Sequence, residues 1–457
     1  MKSINSLIIF FLFVPYYGFA GSPSTGWKAG VAETIITPDE YIWMAGYAAR
    51  KRPAEGKIHD LWAKALALED SLGNKAVLVT ADILGFSKEL SDKIRAQLKT
   101  DLNLSEAQII LNASHTHSGP VLTNALIDIY PIDVNRDRGI SAYTARLESQ
   151  IVRLVSDAFR AAKPAELYAG NGITRFQINR RNNREAIAEQ QPEIKGPHDH
   201  AVPVIKVTDK EGRIQAIVFG YACHPTTLDG YLWSGDYPGF AQIELNKMYN
   251  GCTAMFFQGA CGDLNPMPRR TVPVTKQHGL TLAAAVDRVL QEKMKRLPPV
   301  LTMTYKEINL PLTTPPDKEY LDKFAEESTV PYFKRWAERM SAQLAEGHAF
   351  ITSYPYPLQI WNMGGQAIVS MGGEVVVEYA IGLKRIFGHE LFVMGYSNDV
   401  MAYIPSLRIL KEGGYEGATS QIVYGLPSVW SEEIEALIYQ EIKKSAVTVG
   451  IQPKSEN

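Results

Sequence analysis

The sequence predicts an α/β fold, a single large layered domain of mixed β-sheets flanked by helices, and three observations carry that expectation. Runs rich in β-branched and apolar residues recur along the chain, and several are apolar on both faces, as interior strands are. Amphipathic stretches with apolar residues three or four apart are interleaved among them. Such alternation favours stacked layers of sheet and helix over an all-β or all-α arrangement.

The strands expected are Ala76–Thr80, Gln108–Asn112, Val202–Val207, Ile214–Phe219 and Ala254–Phe257. The clearest helix sets Tyr143, Leu147, Ile151, Leu154 and Ala158 along one stripe. Further helices are expected at 87–99, 278–296, 317–347, 376–387 and 431–445. The last has Ser431 as N-cap, Glu432 and Glu433 in its first turn, and Lys443 and Lys444 in its last. Residues 312–352 differ from their surroundings in being charged, helical and rich in aromatics (Tyr320, Phe324, Tyr332, Phe333, Trp336). They read as a helical insertion over one face, beside the mouth of a site. No internal repeat or low-complexity linker appears, and Pro298-Pro299 is the one weak hint of a division, so residues 21–457 are expected to form one domain.

At the N-terminus, Lys2, an apolar stretch from Leu7 to Val14 and the small-residue site Gly18-Phe19-Ala20 are laid out as a secretory signal peptide over residues 1–20. An exported protein, periplasmic or secreted, is the expectation. No later segment offers the roughly 20 uninterrupted apolar residues of a spanning helix. Lys and Arg number 47 against 49 Asp and Glu, with no basic cluster, which removes the electrostatic case for a nucleic acid partner. A small-molecule or lipid substrate fits better, with at most transient contact with a membrane surface; the sequence carries no signal for oligomeric state. Cys223, Cys252 and Cys261 allow one disulfide at most, Cys252 with Cys261, or else three buried thiols.

Five segments carry residues suited to chemistry. In Leu111-Asn112-Ala113-Ser114-His115-Thr116-His117-Ser118-Gly119-Pro120 an apolar strand runs into two histidines. Residues two apart in extended chain share a side, so these imidazoles either converge at a strand's end as metal ligands or make a polar turn. His224 follows a second apolar strand and precedes Pro225; alone it reads as a ligand or as a strand-end residue bonded to backbone. The strand at Phe256-Phe257 breaks into Gly262-Asp263-Leu264-Asn265-Pro266, either a ligand-approach loop or a tight turn. Glu374 follows Gly372-Gly373 at the entry of a helical run, where a carboxylate also serves the helix dipole. Tyr403 and Tyr415 lie in a loop with few apolar anchors. A further pair, His198-Asp199-His200, has ligand-like spacing but precedes a strand instead of following one, and ranks below His115 and His117.

Taken in order, these segments resemble the catalytic domain of the neutral/alkaline, non-lysosomal ceramidases over nearly the whole mature chain. The resemblance begins with Gly30-Val31-Ala32-Glu33-Thr34-Ile35-Ile36-Thr37-Pro38 and Met44-Ala45-Gly46-Tyr47. It continues through His115-Thr116-His117, Ile178-Asn179-Arg180, Ser234-Gly235-Asp236, Gly262-Asp263, Gly373-Glu374 and Tyr415-Glu416-Gly417-Ala418. It implies a ceramidase catalytic-domain-like fold and zinc-dependent hydrolysis of an N-acyl amide, ceramide to sphingoid base plus fatty acid, by a metal-activated water. It implies Zn²⁺ held by His115, His224, Glu374 and Tyr403, with His117, Arg180 and Tyr415 at the reacting carbonyl or moving protons. Imidazole, carboxylate and phenolate suit zinc, which brings a bound water to a pKa of about 7. One departure stands out: Asn265 occupies the place of a family serine, so a covalent serine route is closed while a metal route is untouched. The family's additional C-terminal β-domain is not expected within these residues. An exported esterase or deacetylase acting on acylated carbohydrate, or a non-catalytic binding relative, is the alternative.

Overall fold

A computed structural model describes residues 26–190 and 193–454. The expected signal peptide lies outside the described residues. Nine strands form the larger sheet. Edge to edge they run Thr253–Gln258, Ile214–Tyr221, Ala201–Thr208, Lys163–Ile173, Trp27–Ile35, Trp62–Glu69, Lys75–Ala81 and Ile109–Ala113, with Lys295–Leu297 also paired to Lys163–Ile173. The two outermost pairs are parallel and the pairs between them antiparallel. The edges meet where Gln258 N–H donates to Asn112 Oδ1 at 2.8 Å. A smaller sheet orders Leu301–Pro311, Ser353–Met363, Gln366–Met371 and Phe392–Met394.

Alternation along the strands explains the stacking. Val77, Val79, Ile109 and Leu111 face the helices Lys88–Leu102 and Arg138–Arg160, whereas Ala76, Leu78 and Ile110 face Trp361, Ile368 and Phe392 of the smaller sheet. On the other half, Ile217, Phe219, Ala254 and Phe256 face Asp236–Met248 and Val272–Gln291, while Val218, Met255 and Phe257 turn to the smaller sheet. That sheet's outer face, with Leu358, Ile360 and Val369, is covered by Val377–Phe387 and Ile434–Thr448. The result is four layers, helix, sheet, sheet, helix. Strands buried on both faces have no polar side to show, which is why these segments read as continuous apolar runs.

Several boundaries differ from expectation. The helix expected at 278–296 runs Val272–Gln291 because Thr271 caps it by accepting from Val274 N–H, and Lys295–Leu297 is captured as a strand. The single helix expected at 317–347 is two, Lys318–Glu327 and Pro331–Ala345, since Pro331 suits a first turn and not an interior. Ser431 is not the N-cap of the last helix, which begins at Ile434 and continues to Thr448, leaving Lys443 and Lys444 inside it. The two helices between Pro311 and Ser353 share a core of Leu321, Trp336, Ala337 and Met340, and Trp336 Nε1 donates to Leu426 O at 3.0 Å. All three cysteines are buried thiols. Among the described residues no helix is long and apolar enough to cross a membrane.

Candidate metal centre

Strand ends from both sheets deliver the first three groups. After Ile109–Ala113, the N–H groups of Ser114 and His115 donate to Ala81 O and Ile83 O at 2.9 and 3.0 Å. His115 then adopts φ 63°, the left-handed region a side chain avoids unless its surroundings enforce it. His115 and His117 do converge, Nε2 to Nε2 at 3.2 Å, but through this turn and not as alternate residues of an extended strand. His224 follows Ile214–Tyr221, and its N–H donates to Leu264 O at 3.0 Å. Glu374 follows Gln366–Met371 through Gly373, whose φ is 72° and where a Cβ would lie 2.7 Å from Ala402 O. Glu374 does not serve the dipole of the next helix. The first N–H of Val377–Phe387 goes to Asp263 Oδ1 at 2.9 Å, and the Glu374 carboxylate turns to the histidines.

The geometry at the centre is tight. Glu374 Oε2 lies 2.9 Å from His224 Nε2 and 3.2 Å from His115 Nε2. His115, His117 and His224 each place a ligating nitrogen within 4.8 Å of the others. Outward-facing nitrogens fix the tautomers: His115 Nδ1 donates to Leu84 O at 2.6 Å and His224 Nδ1 to Cys261 O at 2.8 Å, leaving Nε2 of each ring directed inward. Burial pushes His224 down to about 4 and, with His115 and His224 beside it, holds His117 well below the usual imidazole range. Burial opposes ionisation of Glu374, but the two imidazoles outweigh it and keep the carboxyl well below the usual carboxylate range. Nε2 of His115, Nε2 of His224 and Glu374 Oε2 thus point at one another, contacts in which a bound cation could take the place of a shared proton. With nitrogen and oxygen donors of this kind and carbonyls fixing the rings from behind, the residues fit a divalent metal such as zinc.

A second group adjoins the first. Tyr403 is paired directly across from Glu374 in a short parallel bridge, is buried, and accepts from Arg180 Nη2 at 3.0 Å. Arg180 Nε donates to Glu416 at 2.7 Å and Nη1 to Asn265 Oδ1 at 3.3 Å, and its guanidinium lies 5.6 Å from the rings of both Tyr403 and Tyr415. Tyr415 is 42% exposed, which places it at the mouth. The seven sequence-predicted residues thus fall into a cluster of His115, His117, His224 and Glu374 and a flanking set of Tyr403, Arg180 and Tyr415. His198 and His200 stack on each other with ring centroids 4.2 Å apart, away from this centre, and the Asp199 between them pairs with Lys384.

Three contributors escaped the sequence reading as site residues. Tyr424 donates to Glu374 Oε1 at 2.5 Å, Tyr396 OH lies 3.3 Å from Oε2, and Glu416 accepts from both Arg180 and Arg181. Tyr396 follows the strand Phe392–Met394 and a glycine, the same signal that marks Glu374. Tyr424 carries no such mark.

Comparison with known proteins bears on this arrangement. Residues 27–277 match the family described as neutral/alkaline non-lysosomal ceramidase, N-terminal. The chain is 25% identical over 255 residues to a neutral ceramidase of Pseudomonas aeruginosa, covering 52% of this chain and 37% of that protein. It is 27% identical over 273 residues to neutral ceramidase B of Dictyostelium discoideum, covering 55% and 36%. The matched stretches thus span little more than a third of these relatives. The crystal structure of the neutral ceramidase from Pseudomonas aeruginosa superposes with a TM-score of 0.72 at 20% identity, over 95% of this chain and 76% of that one.

Proposed function

The chain belongs to the neutral/alkaline non-lysosomal ceramidase family, and from that premise we propose that it hydrolyses the amide of an N-acyl lipid, ceramide foremost, to a sphingoid base and a fatty acid. In this reading His115, His224, Glu374 and Tyr403 hold Zn²⁺, which when bound lowers the pKa of a water to about 7 and polarises a carbonyl. The observation that carries it is the convergence of His115 Nε2 and His224 Nε2 on Glu374 Oε2, with His117 Nε2 3.2 Å from His115 Nε2.

His117 is the proton carrier. Its ring is neutral near pH 7, so it can take the proton of the attacking water and pass it to the departing amine nitrogen as the C–N bond breaks. Arg180, braced by Glu416, and the Tyr415 hydroxyl donate to the carbonyl oxygen as it gains charge. Since these residues come from positions 115 to 415, one catalytic domain over 21–457 is part of the proposal, with export inferred from the N-terminal pattern.

The test is hydrolysis of a fluorescent short-chain ceramide by the purified protein, with metal analysis of the same sample. Zinc near one per chain is expected. Glu374→Ala should lose metal and activity together, and His117→Ala should keep metal while losing activity by about 10²–10⁴-fold. Zinc without turnover of any N-acyl amide would overturn the amidase reading. Asn265, bonded to Arg180 where the family carries a serine, is the observation that would then favour ester hydrolysis, tested on acetylated sugars.

A further inference from the structure

Beside the metal centre lies a cavity of about 240 Å³. Its wall includes Leu84, Phe86, Val121, Leu122, Met401 and Leu426, an apolar surface able to hold an aliphatic chain. Leu84 is the residue whose carbonyl fixes His115, and Tyr424, whose hydroxyl holds Glu374, forms another part of the wall. Solvent is reached past Lys88, Glu89 and Asn124.

Besides Lys88 and Glu89 at the mouth, one charged group breaks the apolar lining. Asp399 is 3% exposed; its Oδ2 accepts from Tyr354 OH at 2.7 Å, and among the described residues its Oδ1 has no hydrogen-bond partner. Its backbone is committed elsewhere, the carbonyl accepting from Gly373 N–H at 2.7 Å. That Oδ1 is not sealed inside the fold, so it is open to a donor entering the cavity. Burial pushes this carboxyl up to about 7, a cost that a cation beside it would relieve, with Lys88 lowering it and Asp92 and Glu307 raising it from the mouth. Lys88 itself is occupied by Glu307 at 2.6 Å. At the mouth Glu89, Asp92 and Glu307 share two cations, Lys88 and Lys93, so with Asp399 the carboxylates outnumber them, a setting that favours a positive head on an apolar body.

We propose that this cavity is a binding site for a short aliphatic primary amine or amino alcohol, its alkyl chain against the apolar wall and its ammonium donating to Asp399 Oδ1. On the hydrolytic reading above, cleavage of an N-acyl amine releases a compound of this chemistry, so the site would sense the product class; binding itself does not depend on turnover. Because the wall holds Gly373 through Asp399 and Glu374 through Tyr424, its occupant would lie one residue away from the metal ligands.

Calorimetric titration of the full chain with hexylamine, hexanol and hexanoate tests this without reference to activity. Saturable binding of hexylamine is expected, with hexanoate and hexanol weaker by about ten-fold or more, the difference a charge-assisted hydrogen bond makes. Asp399→Asn should weaken hexylamine by a similar factor, and Ala125→Phe, which fills the cavity from its partly exposed wall, should abolish it. Equal binding of hexanoate would overturn the proposal. So would hexylamine binding that survives Ala125→Phe, the decisive arm if Asp399→Asn fails to fold. Binding lost on chelation but kept in both variants would put the amine on the metal and overturn it too.

Discussion

Tyr424 is a residue whose contribution lies entirely in what it holds. Its hydroxyl donates to Glu374 Oε1, the oxygen turned away from His115 and His224, so removing it frees the carboxylate to rotate. Groups that orient ligands typically change metal affinity by about 10–100-fold when deleted. Tyr424→Phe should therefore weaken metal binding within that range in a competition titration against a chromogenic chelator, with little loss of apolar packing; unchanged affinity would mean that Glu374 is positioned by the Gly373 turn alone. Such a role was not legible in the sequence. His115, His224 and Glu374 each follow an apolar strand, a local pattern that physics ties to ligand-bearing edges. Tyr424 meets Glu374, fifty positions earlier, only because the chain between them folds back, and no periodicity or turn announces that.

At the scale of elements, the helices Lys318–Glu327 and Pro331–Ala345 brace the segment that carries Tyr424. Trp336 is 4% exposed and its indole N–H is bonded to Leu426 O, two residues from Tyr424. Arg335 and Arg339 fasten the same helix to Asp128 and Ile129, on the far side of the cavity wall. Trp336→Ala removes a large buried ring and a hydrogen bond, a change that costs about 3–5 kcal/mol. Hydrogen exchange should quicken over 318–345 and 420–426 while Trp62–Glu69 in the larger sheet stays protected; if 420–426 kept its protection, the insertion would be no support of the site. That this stretch is helical could be read from composition, since aromatic and charged residues at helical spacing interrupt a run of strands. Its break could not be read from amphipathicity, which continues through Ser328–Val330; the proline and the shared core around Leu321 and Trp336 decide it. Strand positions were the most legible elements because burial on both faces leaves no room for polar residues, whereas the Lys295–Leu297 strand is too short and too polar to signal itself and exists only by pairing with Lys163–Ile173.

For the molecule as a whole, four layers converge on a centre whose nitrogens and carboxylate can share protons or a cation, so a metal bound there would be coupled to folding. The coupling has a defined pH direction. His224 in the folded chain is held down to about 4, whereas unfolded histidine titrates at about 6.5. Between these values the unfolded state takes up a proton that the folded state refuses, and His117, held well below the usual range by burial, acts in the same sense. Stability of the metal-free protein should thus be level above about pH 6.5 and fall as pH drops below it, by about 1.4 kcal/mol per pH unit for each proton so withheld. Glu374, ionised when folded, adds a further loss once the pH passes below the unfolded carboxylate value of about 4.3. Urea unfolding of chelator-treated protein from pH 4 to pH 8 measures this, and a flat profile would mean that the imidazoles are protonated in the fold. Adding zinc at about a thousand times its dissociation constant should restore about 4 kcal/mol at pH 7, by mass action on the folded state. That increment should hold down to about pH 5 and shrink toward pH 4, where His224 in the fold takes up the proton that occupies the nitrogen the metal needs. An increment that stays level through pH 4 would place the metal elsewhere, and would remove the imidazole cluster from the mechanism.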